Sequence, residues 1–111
     1  MDFSVDNTHK MLRDMYRDFA TREVEPLAAT IDEEERPPYE NIPKMRDAGL
    51  FGIPISKENG GEGGDYLGYV MAVEEISKAC ASSGVIISAH TSLCAWPIET
   101  YGTEEQKEKY L

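Results

Sequence analysis

Apolar residues recur at steps of three and four along most of this chain, and that period predicts helices throughout. Asp6 stands as an N-cap before Met11, Leu12, Met15, Tyr16, Phe19 and Ala20, while Lys10, Arg13, Asp14, Arg17 and Asp18 fill the wet side. This helix runs to about Glu25, where Pro26 kinks or restarts it. Leu27, Ala28 and Ile31 continue the apolar face into the acidic turn Asp32-Glu33-Glu34-Glu35. A third helix is expected over Tyr39 to Ala48, with Pro43 tolerated in its first turn, Ile42 and Met45 inward, and Gly49 as its stop. Pro54 then makes Gly52–Ser56 extended. A fourth helix, Tyr66 to about Cys80, spreads Leu67, Val70, Met71, Val73, Ile76, Ala79 and Cys80 over an arc wide enough to require burial. Glu74 and Lys78 pair on its exposed side. Ala81-Ser82-Ser83-Gly84 reads as a turn.

The stretch from Ser82 to Tyr101 is the one around which the chain is organised. Ser88, Thr91, Ser92 and Ala95 share one side of this helix; Ile86, Ala89, His90 and Leu93 form a neighbouring stripe. A rod so apolar must be covered on most sides, and the second stripe is free to meet something other than sister helices. Val85-Ile86-Ile87 is β-branched and suggests a strand, but the run is too long and does not alternate. Pro97 cannot bond the Leu93 carbonyl and crowds it, so a kink or restart is expected there, with Gly102 as a stop. Thr103-Glu104-Glu105-Gln106 is a capping box that opens a last helix, which reaches Leu111 as a new element begins and suggests a truncated protein. The expected fold is all-α: a helical bundle of about six helices in one domain, residues 1–111.

A net charge of −10 argues against a nucleic-acid or anionic-membrane surface, both of which need clustered Lys and Arg. No apolar run is long enough to span a membrane. Cys80 and Cys94 lie inside apolar helical patterns, as reduced, buried thiols of a cytosolic protein do, and no targeting peptide precedes the first helix signal. The protein is therefore expected in the cytoplasm. The acidic turn reads as solvated surface. Asn59-Gly60-Gly61-Glu62-Gly63-Gly64-Asp65 lacks both a dinucleotide fingerprint and a Walker lysine, and its acids repel phosphate, so it reads as a tight loop leading to an Asp65 cap. His90 and Cys94 could be half a metal site, but only His9 and Cys80 remain as partners of that type, and no metal is expected. A Cys–His nucleophile lacks an orienting group.

Three segments carry a family resemblance: HKMLRDMYRDFATREVEPLAATIDEEERPP, DAGLFGIPISKENGGEGGDYLGYVMAVEEISKACASSGV and ISAHTSLCAWPIETYGTEEQKEKYL. In that order, over roughly residues 3 to 111, they resemble the N-terminal helical domain of the acyl-CoA dehydrogenases; the ISAHTSLCA run resembles the short-chain, butyryl-CoA branch. PPYENIPKM departs from the pattern by placing Pro43 within a helix.

The resemblance implies a larger protein with a middle β domain and a C-terminal helical bundle, assembled as a homotetramer. It implies FAD held by those other parts and not retained by this segment. It also implies a C-terminal glutamate that takes the α-proton of a short-chain acyl-CoA while hydride passes to the flavin, and an electron-transfer flavoprotein as acceptor. The catalytic groups lie outside these residues. Transferred through the shared Ser-Leu and Pro-Ile pairs, the substrate-binding positions are Ile86, Ala89 and Leu93, joined by His90 beside them. From composition alone a stand-alone helical interaction module is the alternative, and a relative running acyl-CoA reduction is a third. Coding sequence downstream of Leu111 discriminates the enzyme from the module.

Overall fold

The computed structural model describes residues 1–111, and every regular element in it is helical. The α-helices are α1 (Asn7–Phe19), α2 (Glu25–Glu33), α3 (Asn41–Asp47), α4 (Tyr66–Ala79), α5 (Ala81–Ala89), α6 (Trp96–Tyr101) and α7 (Glu104–Tyr110). They form five rods, because a π-turn at Ala20–Val24 joins α1 to α2 and another at His90–Ala95 joins α5 to α6.

Each π-turn ends two residues before a proline, Pro26 or Pro97. In an α-helix a proline ring collides with the carbonyl four residues back and offers it no N–H. Here Glu25 N–H reaches the Ala20 carbonyl and Trp96 N–H the Thr91 carbonyl, five residues back, and the wider turn carries the chain past both prolines. It also sustains burial at every fourth residue: Tyr16, Ala20 and Val24 in the first rod, Ser83, Ile87, Thr91 and Ala95 in the other. Four residues overshoot one α-helical turn by about 40°. A pure α-helix would wind these stripes off the core, and the π-turn recovers the drift.

Asp6 caps α1 by accepting from His9 N–H (2.9 Å), and Asp65 caps α4 by accepting from Gly68 N–H (2.8 Å). The capping box opens α7 as expected. α1 and α4 run parallel, with His9 beside Asp65 and Arg17 beside Glu75. Glu75 is buried, yet its carboxylate takes two hydrogen bonds from Arg17 (3.1 and 3.2 Å) and one from Lys78 (3.2 Å). The Arg17 guanidinium is the main reason its pKa lies below the usual glutamate value. Lys78 also bridges Glu74, the pair expected on this face. The core joins Tyr16, Val24, Met45, Leu50, Ile53, Met71, Ile76, Cys80 and Ile87 from all layers, with Asn41 donating to Ser83 Oγ (3.2 Å) beneath it.

Several expectations are corrected. Ala81–Gly84 is the first turn of α5, and only Cys80, extended at φ −156°, separates it from α4. Gly52–Ile55 is a turn closed by Ile55 N–H on the Gly52 carbonyl (3.1 Å), so Pro54 sits in a bend where an extended run was expected. Val70 is 57% exposed and Leu67 is exposed too, because α1 and α5 cover only two sides of α4. Cys94 is exposed, while Cys80 is buried as expected. Of the side expected to carry Ser88, Thr91, Ser92 and Ala95, the central rod buries Thr91 and Ala95, together with Ser83 and Ile87, and leaves Ser92 exposed along with Val85 and Leu93. Gly102 stops α6 in an extended conformation (φ −71°), whereas Gly49 stops α3 in the left-handed region (φ +74°).

His9 joins the two caps: Nδ1 meets Asp6 Oδ2 at 2.7 Å and Nε2 meets Asp65 Oδ2 at 2.8 Å. Two carboxylates, Asp6 first and Asp65 second, raise the imidazole pKa above its ordinary 6.5. A raised folded-state pKa stabilises the fold below pH 6.5, and that stabilisation is lost as pH rises through the folded value. Asp6 and Asp65 have lowered pKa values, chiefly from the backbone N–H groups of His9 and Gly68, so their contribution is present above pH 3.8 and fades as pH falls through the lowered values. The melting temperature is expected to decline as pH rises past 6.5. His9→Gln should flatten that limb, and an unchanged slope in thermal melts across it would refute the clasp.

Candidate functional site

A cleft of about 620 Å³ opens between α3, the loop 49–62 and the α5–α6 rod, with Tyr110 and Leu111 at one edge. Its loop wall is stitched to itself. Gly61 N–H bonds the Ser56 carbonyl (2.9 Å), Glu62 N–H the Gly52 carbonyl (2.9 Å), Gly63 N–H the Ile55 carbonyl (2.8 Å) and Gly64 N–H the Ile53 carbonyl (2.8 Å). Glu99, on α6, pins the same loop by accepting from Ser56 N–H (2.9 Å) and Asn59 Nδ2 (3.1 Å). Burial pushes the Glu99 pKa up, but these donors outweigh it and the net shift is downward.

That stitching decides what the glycine loop can do. A phosphate cradle needs free amides pointing at the anion. Four of these amides are already engaged with loop carbonyls, and Glu62 stands on the cleft wall, so the residues present do not fit a flavin's pyrophosphate. The loop serves geometry. No group of three His, Cys, Asp or Glu side chains is placed to hold a metal ion, and no helix is long and apolar enough to cross a membrane.

The rod supplies the opposite wall. Ile86 is half-buried and lines the cleft; His90 is exposed, lines it too, and its ring lies 4.8 Å from that of Phe51, tilted by 46°. The structure thus brings Ile86 and His90 together on one cavity. Ala89 is half-buried and Leu93 is 78% exposed, and neither lines the cleft. Cys94 takes the third place on the wall. An α-helical wheel puts Ile86, Ala89, His90 and Leu93 on one stripe, but the π-turn that begins at His90 changes the step to four, giving Ile86, His90, Cys94.

Phe51 and Cys94 are cleft residues that the helical pattern does not single out. A signal for Cys94 exists, in a four-residue recurrence ahead of a proline. Nothing local marks Phe51, which reaches the cleft through the turn at Gly49–Gly52, closed by Gly52 N–H on the Gly49 carbonyl (3.2 Å). With an apolar floor of Ile42, Phe51, Ile55 and Ile86, and His90, Arg46 and Glu62 as polar groups, the cleft suits a small apolar group better than a reacting centre.

Residues 6–111 match the family model described as acyl-CoA dehydrogenase, N-terminal domain. The chain is 59% identical over 111 residues to the short-chain specific acyl-CoA dehydrogenase of Clostridium acetobutylicum, covering 100% of this chain and 29% of that protein. Among solved structures, a chain described under "Electron transferring flavoprotein of Acidaminococcus fermentans: Towards a mechanism of flavin-based electron bifurcation" superposes with TM-score 0.94 at 43% identity, covering 100% of this chain and 29% of that one. Butyryl-CoA dehydrogenase from Megasphaera elsdenii superposes with TM-score 0.90 at 35% identity, over 100% of this chain and 30% of that one. The chain therefore spans less than a third of the length of these relatives.

Proposed function

The chain belongs to the acyl-CoA dehydrogenase family, matching its N-terminal domain, and on that premise we propose that it forms one wall of the acyl pocket in an FAD-dependent enzyme oxidising short-chain acyl-CoA to 2,3-enoyl-CoA. The observation that carries this is the cleft: the helix wall bearing Ile86 and His90 lines a largely apolar cavity that separates it from α3 and the loop 49–62. Identity of 59% to a short-chain specific relative supports the substrate class. Ala89 and Leu93 stay in the proposal as the part of the wall that residues outside this segment would complete, since their side of the rod is not fully covered.

FAD, in this reading, is held by parts of the protein outside residues 1–111, because the amides of residues 59–64 are already engaged with carbonyls of this segment. When bound it supplies the acceptor for the substrate's hydride. This segment's own part is passive: it excludes water from the acyl tail and limits its length, which strengthens any polarisation of the thioester in the dry site. The same reading takes an electron-transfer flavoprotein as the acceptor, with the structural match to a chain from such a study in support; a homotetrameric assembly in the cytoplasm follows from the family resemblance alone.

Ile86 fills the cleft with a branched side chain, and trimming it frees space for further methylenes. In the intact enzyme, Ile86→Ala is expected to raise kcat/KM for hexanoyl-CoA relative to butanoyl-CoA by roughly fivefold, about one methylene's worth of burial. Assays across an acyl-CoA series measure it. An unchanged optimum counts against the pocket.

A further inference from the structure

The cleft has a second limiting wall that no helical pattern announces. Phe51 stands on the Gly49–Gly52 turn, and its ring meets His90 at 4.8 Å across the cleft. The turn cannot readily give way. Gly49 holds φ +74°, and a Cβ at Gly52 would lie 3.2 Å from the Gly61 backbone. Behind it the loop is stitched by its own amides and pinned by Glu99. Phe51 also packs against the buried core, so its ring is supported from behind as well. The His90 ring makes no side-chain hydrogen bond within the chain, which leaves the Phe51 ring as its close contact in the cleft. A rigid backbone, an aromatic ring and an imidazole on the facing rod together make a fixed narrowing in an otherwise open cavity.

We infer that Phe51, presented by the Gly49–Gly52 turn against His90, is a specificity-determining residue that sets how bulky an acyl tail the cleft accepts. This deepens the acyl-pocket reading and rests on it. Short tails end before the ring; longer or branched ones run into it. Because the contact is with a part of the substrate remote from the reacting carbons, it discriminates through binding, and its removal is expected to lower KM for the larger substrate.

The test uses the intact enzyme and a series of butanoyl-, hexanoyl-, octanoyl- and isovaleryl-CoA. Phe51→Ala is expected to raise kcat/KM for hexanoyl-CoA over butanoyl-CoA by about tenfold, the gain from burying between one and two more methylenes. Phe51→Leu should sit between, and Phe51→Trp should reverse the trend by lowering kcat/KM for hexanoyl-CoA. If Phe51→Ala fails to fold, the Leu and Trp variants give the same ordering. Should the Phe51 series leave the profile unchanged while Ile86→Ala shifts it, the role of Phe51 is overturned and the cleft reading stands. Should neither residue move the profile, both the inference and the acyl pocket at this cleft fail. A change confined to kcat, equal for every substrate, also overturns the inference, because it reports a structural disturbance and not selection by size.

Discussion

Gly84→Ala is expected to destabilise the protein by about 2 kcal/mol, and Gly84→Val by about 4 kcal/mol or more. A Cβ at this position would lie 1.9 Å from Ser77 Oγ, 2.9 Å from Ser77 Cβ and 3.0 Å from Ser77 Cα. The hydroxyl can rotate away, but the other two atoms move only if α4 and α5 separate. Against that stands the better helix propensity of alanine, about 1 kcal/mol. Overpacking between two helices in a close-packed interior costs up to about 3 kcal/mol or more, so the clash wins. Urea unfolding of the intact protein measures it. Ser77→Gly in the Gly84→Ala background should recover part of the loss, because it removes both close side-chain atoms; a wild-type midpoint for Gly84→Ala alone would show that the two helices do not meet here.

The second large effect falls on the cleft. A Cβ at Gly61 would lie 2.2 Å from the Ile55 carbonyl oxygen and 2.5 Å from both the Ile55 carbonyl carbon and Cβ. Ile55 is buried, and two of these atoms are backbone, so no rotamer relieves the overlap. Gly61→Ala should therefore unstitch the loop, losing two or three hydrogen bonds at about 1 kcal/mol each. The expected cost is about 3 kcal/mol, concentrated locally because the loop is a surface element. Hydrogen exchange should show faster exchange at Gly61, Glu62, Gly63 and Gly64. The control is Gly60, whose Cβ would meet only the Leu111 carbonyl oxygen at 3.7 Å. Its φ of +84° makes Gly60→Ala cost about 1 kcal/mol from backbone strain alone. Equal effects at Gly60 and Gly61 would mean that the packing between the loop and Ile55 is not what holds the wall.

These two glycines differ from the ones a pattern exposes. Gly49 can be recognised as a stop because it ends an apolar period, and its positive φ agrees. Gly84 and Gly61 matter for what lies across from them, and that is not encoded at any fixed spacing. The same division runs through the candidate site. Ile86 and His90 belong to a helical stripe, and period alone places them on one side of the rod, the side that meets the cleft. An α-helical wheel carries Cys94 toward the core, and the π-turn brings it out.

By itself, then, the chain's pattern determined the all-helical class, the caps at Asp6, Asp65 and Thr103, and the Glu74–Lys78 pair, and it singled out the rod that walls the cleft. Those features depend on contacts within one or two turns, where residue type and spacing dictate geometry. Only the tertiary structure decided that Pro26 and Pro97 are passed by π-turns, that Leu67, Val70 and Leu93 stay exposed, and that Phe51 faces His90. Each of these turns on which surfaces two elements distant in sequence press together, and a local period carries no information about a neighbour that arrives forty residues away.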